Sequence, residues 1–175
     1  MSHRVIRLGI FLFVLAFIPS TAQGQGFPWK DFERRTMPEL LKINDLEEAE
    51  NLKRFPDQNQ FVFRGTRLPS VVSLTYTGES RALSSERNKF IELWATSYYR
   101  NPGYANLYNA EFLFKDGNEE HWLPVQKDVA KYFPEELKKG ELVDLYLISP
   151  GGLRGTNKGK TLWVFLVEQF GDPRE

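Results

Sequence analysis

From residue 70 onward, apolar residues recur at every second position, and this alternation restricts the fold more than any other feature of the chain. Val72, Leu74 and Tyr76 occupy alternate positions, and the small polar residues Ser73 and Thr75 lie between them. Side chains of a β-strand point alternately to its two faces, so a period of two predicts a strand with a buried face. Gly78 follows and predicts a turn. We therefore expect the chain beyond residue 70 to be mainly β.

Five later segments also carry a strand signal. Residues 89–99 are apolar on both faces, which predicts a second and longer strand. An Asp116-Gly117 pair lies between two further strands, and Asp-Gly is typical of the turn of a β-hairpin. The strands predicted after Gly78 are residues 89–99, 110–114, 120–125, 141–148 and 161–170.

Two stretches between the later strands differ in character. Asp128 is a suitable N-cap for residues 129–133, and Pro134 begins a further turn that stops at Gly140. This pattern predicts a short, broken helix. Residues 149–160 are rich in glycine and polar residues, which predicts a flexible loop between the last two strands.

With the hairpin of residues 110–125 counted as one unit, the order of these elements resembles that of the OB-fold, a five-stranded, partly open Greek-key barrel. The resemblance covers residues 70–171 and concerns topology alone, because no family motif accompanies it. A Src-homology-like small barrel or an α+β roll would have a similar number of strands. The expected fold is mainly β with peripheral helices: a small OB-like barrel, strand-strand-strand-helix-strand-strand, preceded by an N-terminal helical segment.

Residues 25–69 form this N-terminal segment, which is charged and poor in β-branched residues. Thr36 and Glu39 have the spacing of a capping box, which predicts that a helix begins near Met37. It continues to Arg54 as one irregular helix or two short ones. The second apolar face of the sheet is either a ligand platform or a face covered by this helix, and we favour the helix, with its apolar stripe buried against the sheet. The stripe consists of Leu46, Ala49, Leu52 and Phe55.

The first residues have the pattern of a signal peptide. Arg4 and Arg7 precede an apolar run over residues 8–18, and small residues follow it. The pattern predicts that residues 1–24 are removed, with cleavage after Ala22 or Gly24, and that the mature protein is periplasmic or secreted. Because the run is shorter than the ~20 residues of a membrane-spanning helix, no transmembrane segment is expected in the mature chain.

Composition excludes several kinds of chemistry. The chain has no cysteine, which excludes disulfides, thiolate nucleophiles and zinc–thiolate or iron–sulfur sites. Its 23 basic residues balance 23 acidic residues, so it lacks the basic excess of a nucleic-acid-binding protein. We expect no nucleic acid partner, no metal and no cofactor.

Three short patterns that resemble ligand sites have simpler explanations. Gly159-Lys160-Thr161 resembles the end of a phosphate-binding loop, but Arg154 stands where that motif needs glycine, and a strand follows instead of a helix. His121 lies in a predicted strand, where neighbouring side chains point apart and do not converge on one ion. The oxygen-bearing residues of 116–120 lack the spacing of a calcium loop and fit a hairpin turn.

Tyrosines and cations provide the candidate ligand-binding residues. Tyr98 and Tyr104 flank a turn at residues 101–103, and tyrosine rings are often half-exposed at binding surfaces. In an OB-like barrel, the loop between the fourth and fifth strands lies at the mouth of the binding face. We expect cations of this loop to hold anionic groups while the rings stack on sugars or aromatic side chains. These cations are Arg154, Lys158 and Lys160.

Three functions are compatible with the sequence. The leading hypothesis is a non-enzymatic binding or interaction module of the bacterial envelope or secreted space. Its ligand is not identified by the sequence, and the candidate partners are an envelope protein and a glycan. The first alternative is a hydrolase of glycans or peptides that uses two carboxylates. The second is a structural or assembly factor whose strand edge pairs with another chain. The carboxylates considered for hydrolysis are Glu92, Glu111, Asp144 and Glu168.

Overall fold

The protein is mainly β, and its helices lie at the periphery of a seven-stranded mixed sheet. The computed structural model describes residues 27–54, 61–157 and 160–171. The predicted signal peptide lies outside these residues, as do Phe55 of the predicted stripe and Lys158 of the predicted loop. Among the described residues, no helix is both long enough and apolar enough to cross a membrane.

The helices and strands have the following bounds. The α-helices of the described residues are α1 (Met37–Arg54), α2 (Ser85–Tyr99), α3 (Lys127–Ala130) and α4 (Phe133–Glu136), and short 3-10 helices cover Trp29–Asp31 and Pro102–Leu107. The strands are β1 (Glu33–Arg34), β2 (Phe61–Phe63), β3 (Ser70–Ala82), β4 (Tyr108–Asp116), β5 (Glu119–Gln126), β6 (Leu142–Asn157) and β7 (Lys160–Gly171). The short, broken helix predicted after residue 128 is confirmed as α3 and α4.

β3 pairs with three strands of the sheet, namely β1, β4 and β6. The strands are ordered β1-β3-β4-β5-β7-β6-β2, and β3 also pairs with β6. Pairing is antiparallel except between β1 and β3 and at the β5–β7 contact, where Val125 lies opposite Val167. β1 and β2 come from the predicted N-terminal segment and stand at the two ends of the strand order. That segment therefore contributes strands to the same sheet.

Five of the predicted strands are confirmed, and β3 is longer than its alternation indicated. β4 and β5 form the predicted hairpin, with a φ of 58° at Gly117 in the turn. β3 does not end at Gly78, as predicted, but continues to Ala82 through an irregularity between Tyr76 and Ser80. Gly78 has a φ of 81°, which glycine adopts without a steric cost, so it bends the strand instead of ending it.

The strand predicted at residues 89–99 is wrong, because this stretch belongs to α2. Ser84 caps the helix by accepting a hydrogen bond of 3.2 Å from the backbone N–H of Arg87. Apolar residues at both odd and even positions can be assigned to two strand faces or to one helical stripe, so periodicity alone did not separate the two. The buried apolar residues have helical spacing and are Phe90, Ile91, Trp94 and Ala95.

The loop predicted at residues 149–160 is also wrong, because β6 continues to Asn157 and β7 begins at Lys160. Gly151 has a φ of 136°, and a Cβ there would lie 1.9 Å from the backbone carbonyl oxygen of Val62 on β2. Glycine is common in loops, but here it allows the backbone of β2 to approach and pair with β6.

One face of the sheet packs into the main hydrophobic core. The core takes buried residues from β2 to β7, and α1, α3 and α4 contribute to it. Phe133 of α4 is fully buried and makes edge-to-face ring contacts with Tyr76 and Phe112. Buried aromatic rings contribute large apolar areas, so this short helix is held on the sheet mainly by one side chain.

The second face of the sheet is covered by α2, and not by the N-terminal helix as predicted. Phe90 and Trp94 of α2 join Ile148 of β6 and Leu166 of β7 in a second buried cluster. A sheet that is apolar on both faces needs a cover on each. The strand predicted for residues 89–99 left only the N-terminal helix to cover this face, whereas the same residues, folded as α2, cover it.

The capping box that begins α1 is confirmed. The N–H of Thr36 donates to Glu39 Oε2 at 2.7 Å, and the N–H of Glu39 donates to Thr36 Oγ1 at 3.3 Å. From this start, α1 runs as one continuous helix to Arg54. Its first turn also carries Met37 and Leu40, which are buried in the main core. The predicted helix therefore docks on the sheet, on the first face.

The buried stripe predicted for α1 is wrong. Leu46 is 59% exposed and Ala49 is exposed, because the opposite side of the helix faces the sheet. That side carries the buried Asn44, whose amide donates to Ser149 Oγ at 3.0 Å and accepts from Arg64. Asn44 is polar but can be buried because its hydrogen bonds are satisfied, so a search for a stripe of apolar residues does not find this side of the helix.

Two leucines on opposite sides of α1 should respond differently to truncation. Leu40→Ala should lower the free energy of unfolding by about 2–5 kcal/mol, because Leu40 has no exposed surface and its loss leaves a cavity. Leu46→Ala, on the solvent side, should change it by less than about 0.5 kcal/mol. Urea unfolding measures both values, and equal destabilisation by the two substitutions would contradict this orientation of α1.

Gly151→Ala tests the close approach of β2 and β6. The added Cβ would overlap the carbonyl group of Val62, so β2 must shift, and the cost should be on the order of 2 kcal/mol or more. Gly65→Ala is the matched control, because a Cβ at Gly65 meets no atom within 4 Å. Thermal unfolding followed by circular dichroism should show a loss for Gly151→Ala only. A similar Tm for both variants would argue against the β2–β6 pairing.

Candidate functional site

Four tyrosines gather where α2 ends and the chain enters β4, and we call them the tyrosine cluster. Tyr98 and Tyr99 end α2, Tyr104 lies in the 3-10 helix, and Tyr108 begins β4. The ring centroids of Tyr98 and Tyr99 are 5.0 Å apart, and the stacked rings of Tyr99 and Tyr104 are 4.3 Å apart. Trp94 is buried beneath them and contacts the first three rings.

The turn after α2 brings Tyr104 back over the helix. The side chain of Asn101 accepts a hydrogen bond of 3.0 Å from the N–H of Gly103. Pro102 begins the 3-10 helix, where its missing N–H has no helical partner to lose. The turn predicted from these three residues is therefore present, and it places the ring of Tyr104 on that of Tyr99.

Two charged residues hold hydroxyls of the cluster. Arg67 Nη1 donates to the hydroxyl oxygen of Tyr99 at 3.1 Å. The hydroxyl of Tyr104 donates to Glu168 Oε1 at 2.7 Å. Arg67 precedes β3 and Glu168 lies on β7, so tertiary structure assembles this site from distant parts of the chain.

The inner tyrosines remain protonated. Burial raises the pKa of Tyr104, and the neighbouring Tyr108 and Glu168 raise it further. Burial also raises the pKa of Tyr108, again with a contribution from Glu168, and Gln126 Nε2 donates to its hydroxyl at 3.4 Å. Phenols with raised pKa values are neutral at physiological pH. Both hydroxyls therefore serve as hydrogen-bonding groups and not as phenolate bases.

Two residues beside the cluster have left-handed backbone conformations. Leu68 has a φ of 45° and Arg100 a φ of 54°, and no other non-glycine residue of the described chain has a positive φ. Leu68 follows Arg67, and Arg100 follows Tyr99, so each adjoins one partner of the Arg67–Tyr99 hydrogen bond. Such a conformation costs about 1–3 kcal/mol, and strain of this kind is concentrated at functional sites.

Glycine at position 100 should release part of this strain. Arg100→Gly should raise the free energy of unfolding by about 0.5–1 kcal/mol, because glycine adopts the left-handed conformation at a helix C-terminus without a steric cost. Arg100→Ala keeps the Cβ and is the matched control, for which no gain is expected. Urea unfolding measures both. A less stable glycine variant would show that the arginine side chain itself stabilises the turn.

The structure brings together only part of the predicted ligand site. Tyr98 is 43% exposed and Tyr104 half-buried, and both belong to the tyrosine cluster. Arg154 lies on β6 and Lys160 at the beginning of β7. From Lys160 to Glu168, β7 spans about 25 Å at the usual rise of a strand. These two cations are therefore at the opposite end of β7 from the tyrosines.

The β6–β7 hairpin contacts α1. Arg154 Nε lies 3.4 Å from Glu48 Oε1, which also accepts a hydrogen bond from the hydroxyl of Thr161. A groove of about 400 Å³ lies between the hairpin and α1. The carboxylates of Asp45 and Glu48 line this groove and would repel an anionic ligand. The groove is therefore unlike the anion-binding site predicted for residues 149–160. Its lining residues are Leu41, Asp45, Glu48, Lys160, Thr161 and Trp163.

Glu111, considered as a catalytic carboxylate, is buried on β4 and pairs with two arginines. Arg81 comes from β3 and also lies over the ring of Trp122, 3.9 Å from its centroid. Arg87 comes from α2. Burial, and then the charge of Arg81, lowers the pKa of Arg87 to about 10, so Arg87 remains charged at neutral pH. The Glu111–Arg87 ion pair therefore fastens the beginning of α2 to the sheet.

The other three carboxylates lie at separate places in the fold. Asp144 on β6 pairs with Arg34 and accepts a hydrogen bond from Ser73. Glu168 is bonded to the tyrosine cluster, and Glu92 is exposed on α2 instead of in a strand.

His121 has the surroundings of a structural residue. It is half-buried on β5, and burial lowers its pKa, so it is neutral at physiological pH. Its buried Nε2 finds no hydrogen-bond partner among the described residues. In the part of the chain that the structure describes, no three histidine or acidic side chains are arranged to hold a metal ion.

Two residues of this site were missed by the sequence analysis. Arg67 lies between β2 and β3, and nothing in its neighbourhood in the sequence points to Tyr99, 32 residues away. Gln126 ends β5 and is one of several polar residues at strand ends. Glu168 was considered only as a hydrolytic carboxylate. The tyrosines alone carried a signal, because rings near a predicted turn are typical of half-exposed positions.

Comparison of the chain with protein-family models, with curated proteins and with solved structures finds no match.

Proposed function

We propose that the protein is a non-enzymatic binding module and that the exposed side of the tyrosine cluster is its ligand surface. The observation that carries this proposal is the combination, at one place, of stacked and partly exposed rings with an arginine and a carboxylate. Tyrosine supplies contact area and hydrogen bonds at a small cost in conformational entropy, which makes it common in ligand surfaces. The strained backbone at Leu68 and Arg100 supports the same location.

The proposal includes an OB-like arrangement of β3 to β7. The pairing order β3-β4-β5-β7-β6, with β6 also paired to β3, supports a closed five-stranded arrangement of this kind. α3 and α4 stand between the third and fourth of these strands, which agrees with the position of the helix in that topology. α2 is an additional helix between the first two strands, and it carries Tyr98 and Tyr99.

The binding module acts in the periplasm or outside the cell in this proposal. The support is the signal-peptide pattern, in which two arginines precede the apolar run 8–18 and small residues stand before cleavage sites at Ala22 and Gly24. The absence of cysteine is compatible with either location.

A hydrolase has less support than a binding module. Glycoside hydrolysis needs two carboxyl groups that flank one bond, and one of them must act as an acid. Glu111 and Asp144 each pair with arginine, which favours the ionised carboxylate and disfavours a general acid. Glu168 accepts a hydrogen bond from Tyr104 through Oε1, and among the described residues no second carboxylate of the considered set is placed with it.

A strand-edge assembly factor would use β2, which stands at one end of the strand order. β2 is 3 residues long, and its Phe63 is 38% exposed. So short an edge offers few backbone hydrogen bonds to a partner strand. The tyrosine cluster is therefore the better-supported surface.

Tyr98→Ala tests the proposed surface, with Tyr132→Ala as the matched control. Both tyrosines are 43% exposed, but Tyr132 lies between α3 and α4, beside Lys131. The purified protein is immobilised and incubated with an envelope extract of the source cells, and retained proteins and glycans are identified by mass spectrometry and sugar analysis. We expect a component that Tyr132→Ala retains fully and that Tyr98→Ala retains about tenfold less.

One outcome of this experiment would contradict the proposal. If the unmodified protein and both variants retain the same components in the same amounts, the tyrosine cluster is not the ligand surface. Circular dichroism of the variants verifies that Tyr98→Ala still folds, as expected for a residue whose ring is largely outside the core.

A further inference from the structure

We infer that the tyrosine cluster takes a neutral glycan, an inference that rests on the proposed binding function. The geometry points to this ligand through three features. The rings of Tyr98, Tyr99 and Tyr104 contact one another, and that of Tyr98 is 43% exposed. The two charged groups that hydrogen-bond to hydroxyls of the cluster have opposite signs, and both retain hydrogen-bonding capacity toward a ligand.

The ring surface suits the shape of a sugar. Tyr99 is in ring contact with both Tyr98 and Tyr104, at 5.0 Å and 4.3 Å between centroids. Trp94 behind them makes ring contacts of 5.4 to 5.8 Å with all three, which holds their orientation. A pyranose has C–H groups on its faces and hydroxyls around its edge. An aromatic surface bordered by polar groups matches both parts of such a ligand.

The charges at the cluster do not favour an ionic ligand. Arg67 and Glu168 carry opposite charges, and each is hydrogen-bonded to a hydroxyl of the cluster. A charged ligand would be attracted by one of them and repelled by the other, whereas a neutral ligand with polar hydroxyls can interact favourably with both. Arg154 and Lys160, the cations that favoured an anion, are on the hairpin at the opposite end of β7.

Both charged groups can still bind hydroxyls. Within the described residues, the guanidinium of Arg67 makes its hydrogen bond to Tyr99 alone, and Glu168 accepts through Oε1 from Tyr104. Arginine has five N–H donors and a carboxylate has two acceptor oxygens. The remaining donors of Arg67 and Oε2 of Glu168 therefore form a donor–acceptor pair beside the rings, and neighbouring sugar hydroxyls can both donate and accept.

Titration calorimetry with neutral oligosaccharides tests the inference. The probes are cellohexaose, chitohexaose, xylohexaose, mannohexaose and maltohexaose, each titrated into the purified protein. We expect at least one to bind, with an affinity that falls about tenfold or more in Tyr98→Ala and is unchanged in Tyr132→Ala. Tyr98→Leu keeps an apolar side chain against Trp94 but removes the ring, and it should lose the same affinity. Because the ligand is neutral, the affinity should not depend on salt concentration.

The outcomes separate this inference from the proposed function. Oligogalacturonate, an anionic oligosaccharide, is titrated as the charged comparison. If none of the five neutral probes binds, the inference is overturned. It is also overturned if oligogalacturonate is the one probe that binds and its affinity falls as the salt concentration rises. A protein component that depends on Tyr98 in the retention experiment, without any sugar binding, also overturns the glycan inference but leaves the binding module standing. Equal retention by the unmodified protein and Tyr98→Ala overturns the proposed function itself.

Discussion

The pairing of β3 with both β4 and β6 is the contact on which the rest of the structure depends. Through it, residues 70–75 lie beside residues 142–147, and their inward side chains form the centre of the main core. β1 joins this unit through β3, and β2 joins it through β6. Because β1 leads directly into α1, the same pairing also determines where the N-terminal helix meets the sheet.

α2 determines where the tyrosine cluster lies. Its beginning is tied to β4 by the ion pair between Arg87 and Glu111, and its apolar side covers the second face of the sheet. At its end, the left-handed turn at Arg100 returns the chain over the helix. The rings of the tyrosine cluster therefore stand at the one end of α2 where they reach Glu168 on β7. The same helix therefore both covers the second face of the sheet and places the tyrosine cluster at the edge of that face.

The sequence predicted those elements that short-range chemistry determines. The capping box of Thr36 and Glu39 marks the start of α1, and the Asp116-Gly117 pair marks the β4–β5 hairpin, because their partners are a few residues away. The errors arise where one local pattern has two solutions. Residues 89–99 fit a strand or a helix, and the glycines near 151 fit a loop or the close contact of two strands.

The sequence by itself determined that the chain is mainly β, where most strands lie and that α1 forms. It also pointed to Tyr98 and Tyr104, because rings beside a turn are a local pattern. Only the tertiary structure decided which face α1 and α2 cover and which partners the tyrosines meet. The hydrogen bonds that define the site join residues 32 and 64 positions apart, and no short-range pattern specifies contacts that form only when β3, α2 and β7 are packed together.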